Sequence, residues 1–284
     1  MKTKISFLLV LVLTFTASGC GNTYSSLSNK TSDDAIYEEV LKSVDSQDWN
    51  EALAQINSLS AAKKSDPDVI QTWAGIFAGQ CGLDFISYFD SISNASLIGS
   101  SIFKYLMNAF TQKAVNPGAC LLAQQKMEEI STDPLLRTDG ENLFMAILGM
   151  VKIGTYLRAN ADIDSTGNLG DGTADASYNS CNSASISDAD VTQIITGIGL
   201  VTTNLTSLTS VISSSSITTA LTNISSACGA TCQKTAAADV DATDILLVRD
   251  ILRTGPSTVD PNYQLGVDDV CDASDGATLL ACCP

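Results

Sequence analysis

The chain has 284 residues and a formal net charge of −16 at pH 7, from 31 acidic and 15 basic side chains. This charge argues against binding to nucleic acid and against electrostatic binding to anionic lipid, because both are negatively charged. The chain contains no histidine, which excludes Ser-His-Asp and Cys-His catalytic groups.

The first residues have the pattern of an export signal. Lys2 and Lys4 precede an apolar segment, residues 5–15, which is too short to cross a bilayer. Small residues then stand directly before Cys20. This pattern resembles the lipobox of bacterial lipoprotein precursors, and the alternatives are an ordinary secretory signal or an uncleaved anchor.

The lipobox resemblance implies a signal peptide over residues 1–19 and a palmitate-bearing Cys20 that holds the chain in the lipid bilayer of the cell envelope. In this family an Asp after the acylated cysteine retains many members at the inner membrane. Gly21 stands at that position, so the resemblance implies the outer membrane.

After Cys20 the composition predicts a tether followed by one domain. Residues 20–32 are polar and rich in Ser, Asn and Gly, which is typical of a flexible tether. We expect a single helical domain over residues 33–284. A sub-boundary could fall in segment 160–186, which is rich in Asp, Gly, Asn and Ser and predicts a long loop.

Helical periodicity and capping residues predict helices along the whole domain. Asp33 or Asp34 is expected to cap the first helix, and Asp66 a later one with Pro67 at its first position. Further helices are expected to start at Asp139, after Ser187 and at Asp239.

Two of the apolar helices contain a lysine near their middle, Lys104 and Lys152. A charged side chain at the centre of a bilayer is costly. The sequence therefore predicts that these helices pack inside the protein and do not span a membrane.

The first helical hairpin resembles a tetratricopeptide repeat. In that family an acidic residue, an aromatic residue and Glu-Ala-Leu open the second helix of the hairpin; here these are Asp48, Trp49, Glu51, Ala52 and Leu53. We predict an all-α fold, with helical hairpins stacked as a short α-solenoid or as an irregular helical bundle. A long acidic loop and an irregular C-terminal tail complete it.

Eight cysteines remain when Cys20 is assigned to lipid, and an even number in an exported chain indicates disulfides. We expect Cys81 to pair with Cys120 and Cys228 with Cys232. Cys181 is then expected to tie the long loop to one of the tail cysteines, which are Cys271, Cys282 and Cys283.

The long loop also resembles the start of an EF-hand calcium loop. Asp162, Asp164 and Thr166 occupy the first ligand positions, but Thr173 stands where the family has a bidentate Glu, so Asp171 or Asp175 would have to complete the site. A polar surface loop without an ion is the favoured alternative, and no other cofactor is indicated.

Two segments match the SxxK motif of penicillin-binding enzymes, at Ser60–Lys63 and Ser101–Lys104. The family also needs a KTG element, and Lys234-Thr235-Ala236 lacks its glycine. An enzyme is therefore the least favoured functional class.

The favoured class is a protein-interaction scaffold that binds an unidentified envelope protein through its helical hairpins. The alternative follows from a similarity to the helical-repeat lipoproteins that accompany some solute transporters, and it implies a small-ligand carrier. Trp73 and Phe77 would be its pocket residues.

Overall fold

The computed structural model describes residues 31–93, 101–163, 170–209, 215–253 and 283. Regular secondary structure in these ranges is entirely helical, which confirms the predicted all-α class. The α-helices in chain order are α1 (Asp33–Asp45), α2 (Trp49–Ser58), α3 (Ala61–Lys64), α4 (Pro67–Cys81), α5 (Phe85–Ser93), α6 (Ile102–Asn108), α7 (Pro117–Glu128), α8 (Asp139–Ala161), α9 (Asp188–Thr203), α10 (Leu205–Thr209), α11 (Ser215–Cys228) and α12 (Ala242–Arg253). Short 3₁₀ turns lie at Pro134–Leu136, Gly229–Gln233 and Ala237–Asp239.

Side-chain caps start most of these helices, though not always at the expected residue. Asp66 caps α4 and Ser187 caps α9, as predicted. Ser32, and not Asp33 or Asp34, caps α1, and the two acids instead lie in its first turn, where the helix dipole favours them. The expected start of the last helix at Asp239 is wrong: a 3₁₀ turn ends there and α12 begins at Ala242.

The long helix α8 forms the centre of the molecule. A capping box with Thr138 and Glu141 starts it, and residues 145–158 are all buried. Helices α4, α6, α7, α9 and α10 all pack against it. Because a helix enclosed on several sides is typical of a bundle, the irregular bundle describes the arrangement better than the solenoid.

Two glycines of α8 make this close packing possible. A Cβ added at Gly149 would lie 2.6 Å from the carbonyl oxygen of Gly197 on α9. A Cβ added at Gly154 would lie 2.4 Å from that of Leu106 on α6. Both distances are too short for real contacts, so only glycine allows these two neighbours to approach α8 so closely.

The N-terminal hairpin α1–α2 has a small hydrophobic cluster of its own, shared with α4. Its buried members are Val40, Ala52, Ile56, Leu59, Val69 and Ile76. On the same helix α4, Ala74 and Ala78 belong to the main core. Helix α4 therefore attaches the hairpin to the rest of the domain.

Three disulfides link the described cysteines: Cys81–Cys120, Cys181–Cys283 and Cys228–Cys232. The first joins α4 to α7, and the second ties the loop before α9 to the tail. The first and third pairings are the ones expected from the sequence, and the second joins Cys181 to one of its three expected partners. Cys271 and Cys282 lie outside the described residues, so a fourth disulfide stays a prediction.

The loop between α8 and α9 packs on α12 in its second half. Arg249 of α12 is buried and donates hydrogen bonds to the backbone carbonyls of Ser180 and Ile186 and, at 2.7 Å, to the carboxylate of Asp188. Asp250 accepts the backbone N–H of Cys283 at 2.6 Å. The second half of this loop is therefore part of the folded core structure.

Both lysine-containing apolar helices pack within the domain, although Lys104 lies in the first turn of α6 and only Lys152 is near the middle of its helix. The Lys152 side chain of α8 has no solvent-exposed surface, and α6 contributes Phe103 and Leu106 to the main core. Across the described ranges, no helix has both the length and the apolarity to cross a membrane.

Candidate functional site

The turn between α1 and α2 has a fixed geometry that projects polar side chains. Gln47 adopts a left-handed backbone conformation with φ 59°, and the backbone N–H of Asp48 donates to the carbonyl of Ser43 at 2.8 Å. The Asp48 carboxylate then caps α2 by accepting the N–H of Glu51 at 3.2 Å. Gln47 and Asp48 are thus both held at the tip of the hairpin and exposed.

An open pocket of about 380 Å³ lies where this turn meets the end of α4 and the start of α7. We call it the junction pocket. It is lined by Gln47, Asp48, Trp49, Asn50, Gln80 and Asn116. Three segments far apart in sequence therefore form one concave surface.

Several contacts hold the walls of the junction pocket together. The Gln80 carboxamide donates to the carboxamide oxygen of Asn50 at 3.3 Å. The Trp49 ring packs on Gly79, where an added Cβ would come within 2.5 Å of it. The Cys81–Cys120 disulfide joins α4, which contains Gln80, to α7, which begins directly after Asn116.

The outer surface of the hairpin is strongly acidic. The exposed acids of this surface, here called the acidic hairpin surface, are Glu38, Glu39, Asp45, Asp48 and Glu51. Between residues 38 and 58 the sequence has one basic side chain, Lys42, which pairs with Glu39 at 2.6 Å. The hairpin therefore carries an excess of negative charge toward solvent.

A second polar cluster lies in the core around Lys152. The Lys152 amine donates to the Gln124 carboxamide oxygen and to the Thr196 hydroxyl, both at 2.7 Å. Gln124 in turn donates to Glu128 at 2.7 Å and to the Thr235 carbonyl at 2.9 Å. Burial lowers the pKa of Lys152 to about 7, and the Glu128 carboxylate opposes this shift.

The Lys152 cluster has the features of a structural connection between α7, α8 and α9. The amine donates to an acceptor on each of the two neighbouring helices, Gln124 on α7 and Thr196 on α9. The amine has no exposed surface, so a substrate cannot reach it in this fold. We assign it to the stability of the helix packing and not to catalysis.

Both SxxK matches are helix starts. Ser60 accepts the backbone N–H of Lys63 and caps α3, and Ser101 accepts that of Lys104 and caps α6. A serine cap three residues before a lysine needs no catalytic explanation.

The carboxylate of Asp162, the first position of the calcium-like loop, is hydrogen-bonded to backbone groups later in the same loop. Its two oxygens accept the backbone N–H groups of Asp171 at 2.9 Å and Gly172 at 3.0 Å, and burial raises its pKa. Among the described residues, no group of three or more Cys, Asp or Glu side chains could hold a metal. Asp164 and Thr166 lie outside the described residues, so the calcium site stays a prediction.

Trp73 and Phe77, the pocket residues of the carrier alternative, do not line the junction pocket. Trp73 packs against the small hairpin cluster with the Lys126 amine 3.9 Å from its ring centre, and Phe77 packs against the main core.

Cys20 lies outside the described residues, so its lipidation stays a prediction. Comparison with known protein families, curated protein sequences and solved structures finds no match for this chain.

Proposed function

We propose that the protein is a membrane-anchored extracytoplasmic lipoprotein that binds an envelope protein through its N-terminal helical hairpin. The observation that carries this proposal is the acidic hairpin surface, on a hairpin that has its own small hydrophobic cluster. Because that cluster is separate from the main core, surface residues of the hairpin can serve binding without disturbing the centre of the domain.

The charge of the hairpin indicates the chemistry of the partner. Exposed carboxylates attract a basic surface and steer its approach, and salt weakens this attraction. We therefore expect the partner to present lysine and arginine side chains to α1 and α2.

The cap at Asp48 determines how the proposal is tested. Reversing the charge of Asp48 would also remove the cap of α2, at a cost of about 1 kcal/mol, so loss of binding could come from a damaged hairpin. Glu38 is exposed and caps no helix. It is the better position for a charge reversal.

The test compares Glu38→Lys with Asp239→Lys, a charge reversal of equal size at an exposed position outside the hairpin. Partner protein captured from solubilised envelopes is quantified by mass spectrometry at about 0.05 M and about 0.3 M salt. We expect Glu38→Lys to weaken capture of the wild-type partner by about threefold to tenfold at low salt, and Asp239→Lys to leave it unchanged. Equal effects of the two variants, or none from Glu38→Lys, would contradict the proposal.

A further inference from the structure

The junction pocket has a lining whose chemistry limits what it can bind. Four of its six residues are carboxamides, Gln47, Asn50, Gln80 and Asn116, and each side chain offers both N–H donors and a carbonyl acceptor. Trp49, which is partly exposed, lines the same pocket. We infer that this pocket binds a neutral saccharide.

A charged ligand fits the lining poorly. Asp48 is the one charged residue among the six, and it would repel an anion that finds no lysine or arginine in the lining to pair with. A hard cation such as Ca²⁺ takes about six to eight oxygen ligands, and its affinity depends on how many of them are charged carboxylates. The single Asp48 carboxylate, already hydrogen-bonded to the Glu51 N–H, does not supply them.

An apolar ligand fits equally poorly, because it would cover the carboxamides without replacing their hydrogen bonds to water. Saccharide hydroxyls both donate and accept, as the carboxamides do, and the C–H groups of a sugar ring can contact the part of Trp49 that lines the pocket. The four carboxamides therefore match a polyhydroxylated, uncharged molecule.

The size and rigidity of the pocket narrow the ligand further. Its volume of about 380 Å³ lies at the small end of ligand sites, which span about 300 to 1,000 Å³, so it suits a mono- or disaccharide. The Cys81–Cys120 disulfide joins α4 to α7, and the Gln80–Asn50 hydrogen bond joins α4 to α2, so both restrain the walls before binding. Little conformational freedom is then lost when the ligand binds.

This inference goes beyond the proposed protein binding. The junction pocket and the acidic hairpin surface share Asp48 alone, and Glu38 does not line the pocket. The two proposals can therefore fail independently. If no saccharide binds, capture of the protein partner and its dependence on Glu38 are unaffected.

The test follows the indole N–H resonance of Trp49 in the disulfide-bonded, ¹⁵N-labelled chain, with Trp49→Phe to identify the signal. The probes are maltose and N,N′-diacetylchitobiose, with inorganic phosphate and trialanine for comparison. We expect at least one disaccharide to shift this resonance in a saturable way below about 20 mM, and phosphate and trialanine to leave it in place.

Variants separate the pocket from non-specific binding. Asn50→Ala and Gln80→Ala remove lining carboxamides from positions that are not buried, so the core is unaffected. Each should weaken disaccharide binding by about tenfold. The matched control is Asn57→Ala, an exposed carboxamide at the other end of α2, which should bind as the wild type does. The inference is overturned if no disaccharide binds, if phosphate or trialanine binds instead, or if the two pocket variants bind disaccharide unchanged.

Discussion

Replacing Lys152 with methionine tests the buried polar cluster at the centre of the bundle. Methionine has a similar length and no charge, so it keeps the volume of the side chain and removes the ionisable amine. It also leaves the Gln124 oxygen and the Thr196 hydroxyl without their shared donor. Each such loss costs about 1 kcal/mol.

The amine makes the stability of the wild type depend on pH in a defined direction. In the unfolded chain its pKa has the ordinary value of 10.5, and in the folded chain burial lowers it to about 7. Between these pH values the unfolded chain binds more protons, so the free energy of unfolding rises with pH, by at most about 1.4 kcal/mol per unit. Below pH 7 both states are protonated, and the full cost of burying the ammonium group remains.

We expect the free energy of unfolding of the wild type to increase by about 2 kcal/mol between about pH 7.5 and about pH 9.5, and that of Lys152→Met to stay nearly constant. Urea titrations of the oxidised chain across this range measure both. Lys42→Met is the matched control. The Glu39 hydrogen bond raises the pKa of Lys42 above 10.5, so any stability that Lys42 contributes is lost only above this pH range. This variant should therefore keep the pH dependence of the wild type.

Two tyrosines limit the upper end of the pH range. Burial raises the pKa of Tyr156 to about 12 and raises that of Tyr88 as well, so both favour unfolding only as the unfolded phenols ionise near pH 10. A wild type and a Lys152→Met variant with equal slopes below this pH would refute the assignment of the cluster.

Three further predictions concern the stability of the bundle. Gly154→Ala should lower the free energy of unfolding by about 1 to 3 kcal/mol, because the added methyl group meets the backbone of α6. Gly75→Ala on α4 should raise it by up to about 1 kcal/mol, because no atom lies within 4 Å of an added Cβ there. Similar effects of the two substitutions would be inconsistent with the close contact at Gly154. Replacing Cys81 and Cys120 together by serine should cost about 2 to 4 kcal/mol, and peptide mapping of the wild type that joins either cysteine to another partner would disprove this pairing. Thr138→Ala should cost about 1 kcal/mol in thermal unfolding, and an unchanged melting temperature would argue against the capping box.

The sequence predicted the all-α class, several helix starts and two of the three described cysteine pairs, Cys81–Cys120 and Cys228–Cys232. Caps at Asp66 and Ser187 depend on side-chain contacts within three residues, so the sequence contains all that determines them. Cys81 and Cys120 were expected to pair because both fall in one helical subregion. At the first helix an equally good cap, Ser32, stands just before the two acids, and only the structure distinguishes between them.

The junction pocket could not be predicted in this way, because its walls come from three separate segments. Asn50 and Gln80 lie thirty residues apart, and their contact depends on how α4 packs on the hairpin. The sequence instead pointed to Trp73 and Phe77, since large aromatic residues suit either a core or a pocket; both pack against hydrophobic clusters. A row of separated carboxamides carries no comparable local signal.

The central claim is that the partner binds the hairpin. Site-specific photo-cross-linking tests it most directly, with the loop before α9 as the comparison, since long loops often carry function. A photoreactive amino acid is placed at Glu38 in one full-length chain and at Ser183 in another, both exposed positions. A deletion of the loop is less suitable, because Arg249 binds its second half. We predict a discrete cross-linked partner from position 38 in intact cells and none from position 183. The same partner cross-linked from position 183, with none from position 38, would contradict the account.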